Sequence, residues 1–415
     1  MSPVTRNAPL ASTALAGIRV IDMTDRSCVY ATKVLADLGA EVIRIEPPGG
    51  DPMRRQPPLD EATGISLFHA FMNVNKRSVT LDLDSPEDRE RLGRLIGTAQ
   101  IVVESCKPGY LDGLGLGSVA FEDKVPGLVW TSVTAFGSTG PYAGWSADDL
   151  VIQAMGGLMT LTGLPDREPL RLFGEQTCYI AGLHASSAAL MAYWHALATG
   201  EGQHVDVSIQ ECVAHTLENA IQFYTAEGVV RGRTKGRAEP GAGVFPCSDG
   251  EIFLMASLSM ISSSWHNLVA LMNAEGTPGA ADLADAKWTD PAWRTTQEAC
   301  DIANAVVARF TASRTKNQVY DLTQQHRILS APMNKVGDLF ENAQLKFLNW
   351  FVDQPWDKRR SATWPGPPVR LSETPRLSPG RVAKAGEDTR ELLSALDRRR
   401  KAGKKGKAAA AEVAQ

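Results

Sequence analysis

The chain has 415 residues, enough for two or more domains with a large core. Its 43 Lys and Arg against 47 Asp and Glu give a formal charge of -4, which argues against non-specific nucleic-acid binding as the main role. No apolar run reaches the roughly 18 residues of a membrane-spanning helix, and the first residues lack the charged-then-apolar pattern of a secretion signal. A cytoplasmic protein with no nucleic-acid or membrane partner is expected. The six cysteines (Cys28, Cys106, Cys178, Cys212, Cys247 and Cys300) are scattered, with neither a CxxC pair nor metal-ligand spacing. Reduced thiols and no metal are expected.

Residues 1–16 read as a flexible N-terminus. Then "GIRVIDM" reads as a strand, "CVYATKVLADLG" as a helix closed by Gly39, and "EVIRIE" as the next strand. "SVTLDLD" is a third strand. The stretch "SPEDRERLGRLIGTA" is a helix with Ser85 as N-cap, Pro86 at its first position and acids in its first turn. "IVVES" and "LVWTSVTAFG" are two more strands. Strand and helix in this rhythm predict an α/β fold with a Rossmann-like parallel sheet, which binds ligands at the carboxyl ends of its strands. The turn after the first strand, "TDRSCVY", has no GxGxxG, so a dinucleotide-binding site lacks its fingerprint.

The segment from Cys178 to Leu197 reads as a long buried helix. From about residue 225 the texture becomes Gly-rich, and two short strands joined by "SDG" predict a hairpin. Helical patterns follow from "SWHNLVALMN" to "QVYDLTQQHR" and again from Phe340 to Trp350. A Pro-rich extended segment, "WPGPPVRLSETPRLSP", leads to an amphipathic last helix, "GEDTRELLSALDRR". The expected division is a large domain over 17–224, a smaller inserted domain over 225–335, a return to the large domain over 336–397, and a disordered basic tail over 398–415.

Seven separated phrases together resemble the family III CoA-transferases, which include formyl-CoA, carnitine and benzylsuccinate CoA-transferases. The phrases are "LADLGAEVIRIEPPGGDPMR", "NVNKRSVTLDL", "IVVESCKPGYLDGLGL", "AFGSTGPYAGWSADDLVIQAMGGLMTLTG", "GLHASSAAL", "GQHVDVSIQE" and "GPPVRLSETP". They run in family order over roughly residues 17 to 395. The resemblance implies an interlocked, ring-like dimer and an acyl-CoA thioester and a carboxylic acid as substrates, with no permanently bound cofactor.

In the family an aspartate attacks the thioester and forms a mixed anhydride. Free CoA then attacks the aspartyl carbonyl and is held as an enzyme thioester. Matching Gly182 to the family glycine places that aspartate's slot on Cys178. A thiol has no acyl carbon on which CoA can be held. It can accept an acyl group, and a helix N-terminal turn is expected to lower its pKa, but an acyl-cysteine is no better activated than acyl-CoA. The usual role for such a cysteine is small, buried and inert. Glu175, three residues earlier, carries the right functional group; its plain alternative is an acid complementing a helix dipole. A third reading makes the chain one half of a hetero-oligomer with an aspartate-bearing family chain. A catalytically silent CoA-binding scaffold and an acyl-CoA isomerase or racemase stand as alternatives.

The resemblance also implies CoA-binding residues. Lys107 falls where the family places a cation against CoA phosphate, while Gly113 stands where an arginine is common. Lys76 and Arg77 are candidates for the nucleotide end, with a solvated turn as their plain reading. Of Arg44, Arg54 and Arg55, which flank "EPPGGD", at least one is expected to meet phosphate. Gly137 and Gly140 belong to a glycine loop whose amides could line the thioester pocket. Racemase relatives keep a histidine–aspartate pair at Asp148 and Asp149; here Asp149 is expected to cap the helix starting at Leu150. His184 is expected to be a satisfied core histidine.

Overall fold

The computed structural model describes residues 13–233, 239–256, 263–356 and 360–398. The expected tail beyond residue 398, and all but 13–16 of the expected flexible N-terminus, lie outside these residues. Within 13–16, Leu15 is buried and its amide donates to Leu38 O at 3.0 Å.

Contacts divide the chain into two units, one of 1–163, 168–232 and 349–415, the other of 164–167 and 233–348. The sequence reading ended the inserted domain at 335. The second unit runs on through 348, so that the short helices Val336–Glu341 and Ala343–Phe347 belong to it.

The first unit is built on six parallel strands in the order β3-β2-β1-β4-β5-β6. They are β1 (Arg19–Met23), β2 (Glu41–Glu46), β3 (Arg77–Thr80), β4 (Ile101–Glu104), β5 (Val129–Thr134) and β6 (His204–Ser208). The helices of this unit are α1 (Tyr30–Asp37), α2 (Leu67–Asn73), α3 (Pro86–Ile96), α4 (Tyr110–Gly113), α5 (Asp149–Met155), α6 (Gln176–Thr199), α7 (Ile209–His215) and α8 (Ala220–Glu227). The central strands are buried on both faces, as β4 and β5 show by having every residue buried. On one face Val20, Val42, Val103, Val133 and Val207 pack with Leu35 of α1 and Ala181, Ala185 and Ala189 of α6. On the other, Ile21, Ile43, Val79 and Val102 pack with Leu92 and Leu95 of α3 and with Leu392 and Leu396. Ser85 holds the N-cap position of α3 as expected, but its side chain makes no capping hydrogen bond.

The sequence reading missed β6, a short edge strand with three of its five residues outside the core. A two-stranded antiparallel sheet, β10 (Phe351–Pro355) with β11 (Ser361–Pro365), was also unforeseen. Its second strand runs into the first two residues, Trp364 and Pro365, of the segment expected to be merely extended.

Helix α6 is mostly apolar, and its outward side carries large apolar residues as well as His184. Its inner face carries small residues because it runs close against α1. A Cβ on Gly182 would lie 2.8 Å from both Ala31 N and Tyr30 Cβ, so only glycine fits this crossing.

The second unit holds the expected hairpin, β7 (Ala242–Cys247) with β8 (Gly250–Met255), extended antiparallel by β9 (Leu329–Pro332). Helices α9 (Ser264–Ala274), α10 (Pro291–Arg294), α11 (Gln297–Ala312) and α12 (Lys316–Gln325) belong to it. Its core centres on Trp265, Leu268, Trp288, Val307 and Phe310. The helix expected from Phe340 to Trp350 is two short ones, α13 (Val336–Glu341) and α14 (Ala343–Phe347). Asn342 is extended between them and caps the second.

Candidate active site

In the sheet order β3-β2-β1-β4-β5-β6 the chain changes direction between β1 and β4, where an open parallel sheet leaves a crevice at its carboxyl ends. The structure has a cleft of about 830 Å³ there, lined by Thr24, Asp25 and Arg26 after β1, Met53 after β2, and Ser105 and Tyr110 after β4. The turn after β1 is held in place. The Asp25 amide donates to Ser105 Oγ at 2.7 Å, and Asp25 Oδ1 accepts from the amide of Ser27 at 2.8 Å and its hydroxyl at 2.5 Å.

Most of the cations expected to meet phosphate are engaged in ion pairs. Lys76 is buried, and its Nζ donates to Asp22 Oδ2 at 2.9 Å, Thr32 Oγ1 at 2.7 Å and Asn73 Oδ1 at 3.0 Å. It sits in no solvated turn. Arg44 is also buried, bonding Asp22 Oδ1 at 3.0 Å, Thr24 O at 2.8 Å and Asp51. Burial alone would raise the Asp22 carboxyl. The charges of Lys76 and Arg44 outweigh it and hold the group well below the usual carboxylate range. Arg54 grips Glu46 with Nε at 2.6 Å and Nη2 at 2.5 Å. Arg77 joins Glu41, Asp388 and Glu391 at 3.1, 3.0 and 2.8 Å. Turning any of these to a ligand would take a cation from a carboxylate that it holds. Lys107 and Arg55 are exposed, with no ion pair among the described residues. Nothing lies within 4 Å of a Cβ on Gly113, so no packing excludes a longer side chain there.

Cys178 lies in the first turn of α6, buried against Val29, Met53 and Met72. Burial pushes its thiol up to about 12. The expectation that the helix terminus would activate this thiol is therefore wrong: desolvation in an apolar cluster outweighs the dipole. Glu175 holds the N-cap position of α6 but makes no capping hydrogen bond; its carboxylate pairs with Arg26.

Three further expectations change. Asp148, rather than Asp149, caps α5, accepting from Val151 N at 3.1 Å. Asp149 is buried and accepts from Thr177 N at 3.0 Å, Thr177 Oγ1 at 2.9 Å and Gln153 Nε2 at 2.7 Å. His184 is exposed on α6 rather than in the core, with Nδ1 2.9 Å from Ile180 O and its ring edge-on to His215. In the loop after β5, Gly137 and Gly140 have φ of 89° and 96°, as glycine permits. The Ser138 amide between them donates to the Asp206 carboxylate at 2.9 Å, so this amide is occupied rather than free.

Sequence reasoning missed Arg26, Asp22 and Asp51. A signal for Asp22 was present: an acid inside the apolar strand "RVIDM" must be paired if the strand is buried.

A parallel α/β sheet with a switch-point cleft and no dinucleotide fingerprint admits many chemistries, and comparison with known proteins narrows them. The sequence matches CoA-transferase family III over residues 15–389, and the chain belongs to that family. It is 37% identical to the succinyl-CoA:(R)-benzylsuccinate CoA-transferase subunit BbsE of Thauera aromatica, over 90% of this chain and 92% of that one. It is 29% identical to a succinate–glutarate CoA-transferase of Agrobacterium fabrum, over 92% and 96% of the two chains. A crystal structure of a CAIB/BAIF family protein from Brucella suis superposes with a TM-score of 0.81 at 29% identity, covering 93% of this chain and all of that one. The protein is a CoA-transferase, with a CoA thioester as substrate. Among the described residues no helix is long and apolar enough to cross a membrane, and no group of His, Cys, Asp and Glu could hold a metal ion.

Proposed function

We propose that this chain works in the transfer of CoA between an acyl-CoA thioester and a carboxylic acid as the aspartate-lacking subunit of a hetero-oligomer. One observation carries this reading. The residue matched to the family nucleophile is a buried, neutral thiol, and a thiol cannot hold CoA as an enzyme thioester. Glu175 has the needed carboxylate, but Arg26 already neutralises it, which weakens it as a nucleophile.

The surface supports a partner. On α6 the outward Leu183, Met191, Trp194 and Leu197 are 52%, 67%, 76% and 62% exposed, an apolar face that water leaves unstabilised. The relative BbsE is itself named as a subunit. Lys107 and Arg55, which alone of the cations expected to meet CoA have no ion pair among the described residues, are the groups available to CoA phosphates, and the switch-point cleft is the place for the thioester end.

Co-expression tests the reading. The purified chain alone should transfer no CoA from succinyl-CoA to an acid, and an aspartate-bearing family chain purified with it should restore turnover. Robust activity of the lone chain, lost on Glu175→Gln with a hydroxamate trapped on Glu175 by hydroxylamine, would instead make Glu175 the nucleophile.

A further inference from the structure

We infer that the second unit holds a small inorganic anion, of the size of chloride, against the guanidinium of Arg294. The inference is independent of the CoA-transferase reading. Among the described residues the buried lysines and arginines are Lys33, Arg44, Lys76, Arg294 and Lys316. Four of them pair with a carboxylate: Lys33 with Asp37, Arg44 and Lys76 with Asp22, and Lys316 with Asp338. Arg294, 5% exposed, has no ion pair among the described residues. Its Nη1 donates to Trp288 O at 3.2 Å, and its guanidinium lies 4.3 Å from the centre of the Trp265 ring. Its Nη2 is buried without a hydrogen-bond partner among the described residues. A guanidinium keeps its proton in proteins, so the cost of burying it is not relieved by neutralising it. A buried charge of this kind calls for a counter-charge.

The surroundings supply further donors. Trp265 and Trp293 both pack on Trp288, with ring centroids 5.5 and 6.0 Å apart, so they form one cluster with Arg294. The Trp293 indole nitrogen and the Ser264 hydroxyl are also buried without a partner among the described residues. Ser264 opens α9, a helix of 11 residues, and a helix N-terminus favours negative charge. Guanidinium and indole N–H groups only donate, and a hydroxyl can do so, which selects a ligand that accepts. Burial lowers the Arg294 pKa, and the charge of Glu239 works against that, yet the two form no ion pair among the described residues. A water satisfies donors of this kind but leaves the charge uncompensated. A monoatomic anion meets both needs. It accepts from N–H and O–H groups in any direction, and it is small enough for atoms that have almost no surface open to solvent.

Thermal unfolding of the purified full-length chain tests this, with chloride replacing gluconate from about 1 to about 200 mM at fixed ionic strength. The midpoint of the wild type should rise by about 2–4 °C and then level off. Bromide should act as chloride does, and crystals grown in bromide should show its anomalous signal beside Arg294 Nη2. Arg294→Met should abolish the rise, Arg294→Lys should keep part of it, and Glu239→Gln should leave it in place. A wild-type midpoint that chloride does not move overturns the inference. If Glu239→Gln is then also less stable, Glu239 is the counter-ion instead. A rise that survives in Arg294→Met overturns it too, since the ion then binds elsewhere. If Arg294→Met does not fold, the bromide decides: a signal away from Arg294, or none, overturns the inference. A signal beside Arg294 with no chloride-dependent midpoint is an adventitious ion only and counts against it.

Discussion

The carboxylate of Asp149, in the first turn of α5, accepts both the amide and the hydroxyl of Thr177, in the first turn of α6, at 3.0 and 2.9 Å. Two helix N-termini are thereby tied together through one buried anion. The tie fixes where α6 starts, and with it the positions of Glu175 and Cys178 beside the cleft. Asp149→Ala leaves the Thr177 groups unpaired and removes a charge-assisted pair of bonds. It should cost about 2–3 kcal/mol in urea unfolding. Asp148→Ala, which loses one exposed cap, should cost about 1 kcal/mol.

The sheet was legible because each of its first five strands is an apolar run followed by a helix or turn signal. The match of Gly182 was legible through the resemblance, and its reason, the close α1–α6 crossing, only in three dimensions. The fate of the cations was not legible. "NVNKRS" shows that Lys76 and Arg77 follow a turn, but their partners are 54 and 311 residues away, at Asp22 and Asp388. Local pattern carries periodicity, whereas ion pairing across a parallel sheet depends on strand order. The same limit hid Arg26, whose meaning comes from the element opposite it.

Acid should unfold the protein through its buried carboxylates. Burial would raise Glu46, but its bonds from Arg54 and Ser78 and from the Asp51 amide outweigh burial and bring it to about 2. Asp22 is lowered as well. For both groups the folded pKa lies below the unfolded one, so the unfolded chain binds more protons once the pH falls into the ordinary carboxylate range. Stability from these pairs is complete above about pH 5 and is lost progressively as the pH falls toward 2. Urea midpoints measured from pH 6 to 3 should fall, and Glu46→Gln, itself less stable at pH 7, should show a shallower fall. An equal slope in the variant would remove Glu46 from this account.

Lys107 is exposed at the loop after β4 and has no ion pair among the described residues. Lys107→Ala should weaken CoA binding by about 1–3 kcal/mol, the value of a charge-assisted phosphate contact, with little change in unfolding. The loss should shrink as salt rises, which calorimetry in two buffers will show.

The Cys178 thiol should be inert in the native protein. With its pKa at about 12, on the order of one molecule in ten thousand carries the thiolate at pH 8. Burial against Val29, Met53 and Met72 adds a steric barrier. Iodoacetamide at pH 8, followed by peptide mass spectrometry, should label Cys178 only after denaturation. Rapid native labelling would restore the cysteine as a candidate nucleophile.

Cys178→Asp asks whether the missing carboxylate is the whole defect. The substitution adds an acid of similar size in the first turn of α6, tied by Asp149 to α5 and beside the Arg26–Glu175 pair. Its apolar neighbours make the carboxylate expensive, and stability should fall by about 1–3 kcal/mol. If this site otherwise keeps its function, the lone variant should gain CoA transfer from succinyl-CoA. Hydroxylamine should then trap a hydroxamate at position 178, the mark of an enzyme-bound CoA thioester. A folded variant that binds CoA yet transfers none would show that the site has lost more than its nucleophile. Gly113 is then the next position to restore, because an arginine there meets no packing obstacle. Gain of activity in Cys178→Asp,Gly113→Arg but not in Cys178→Asp would locate the second defect in CoA binding, and the KM for succinyl-CoA should fall with it.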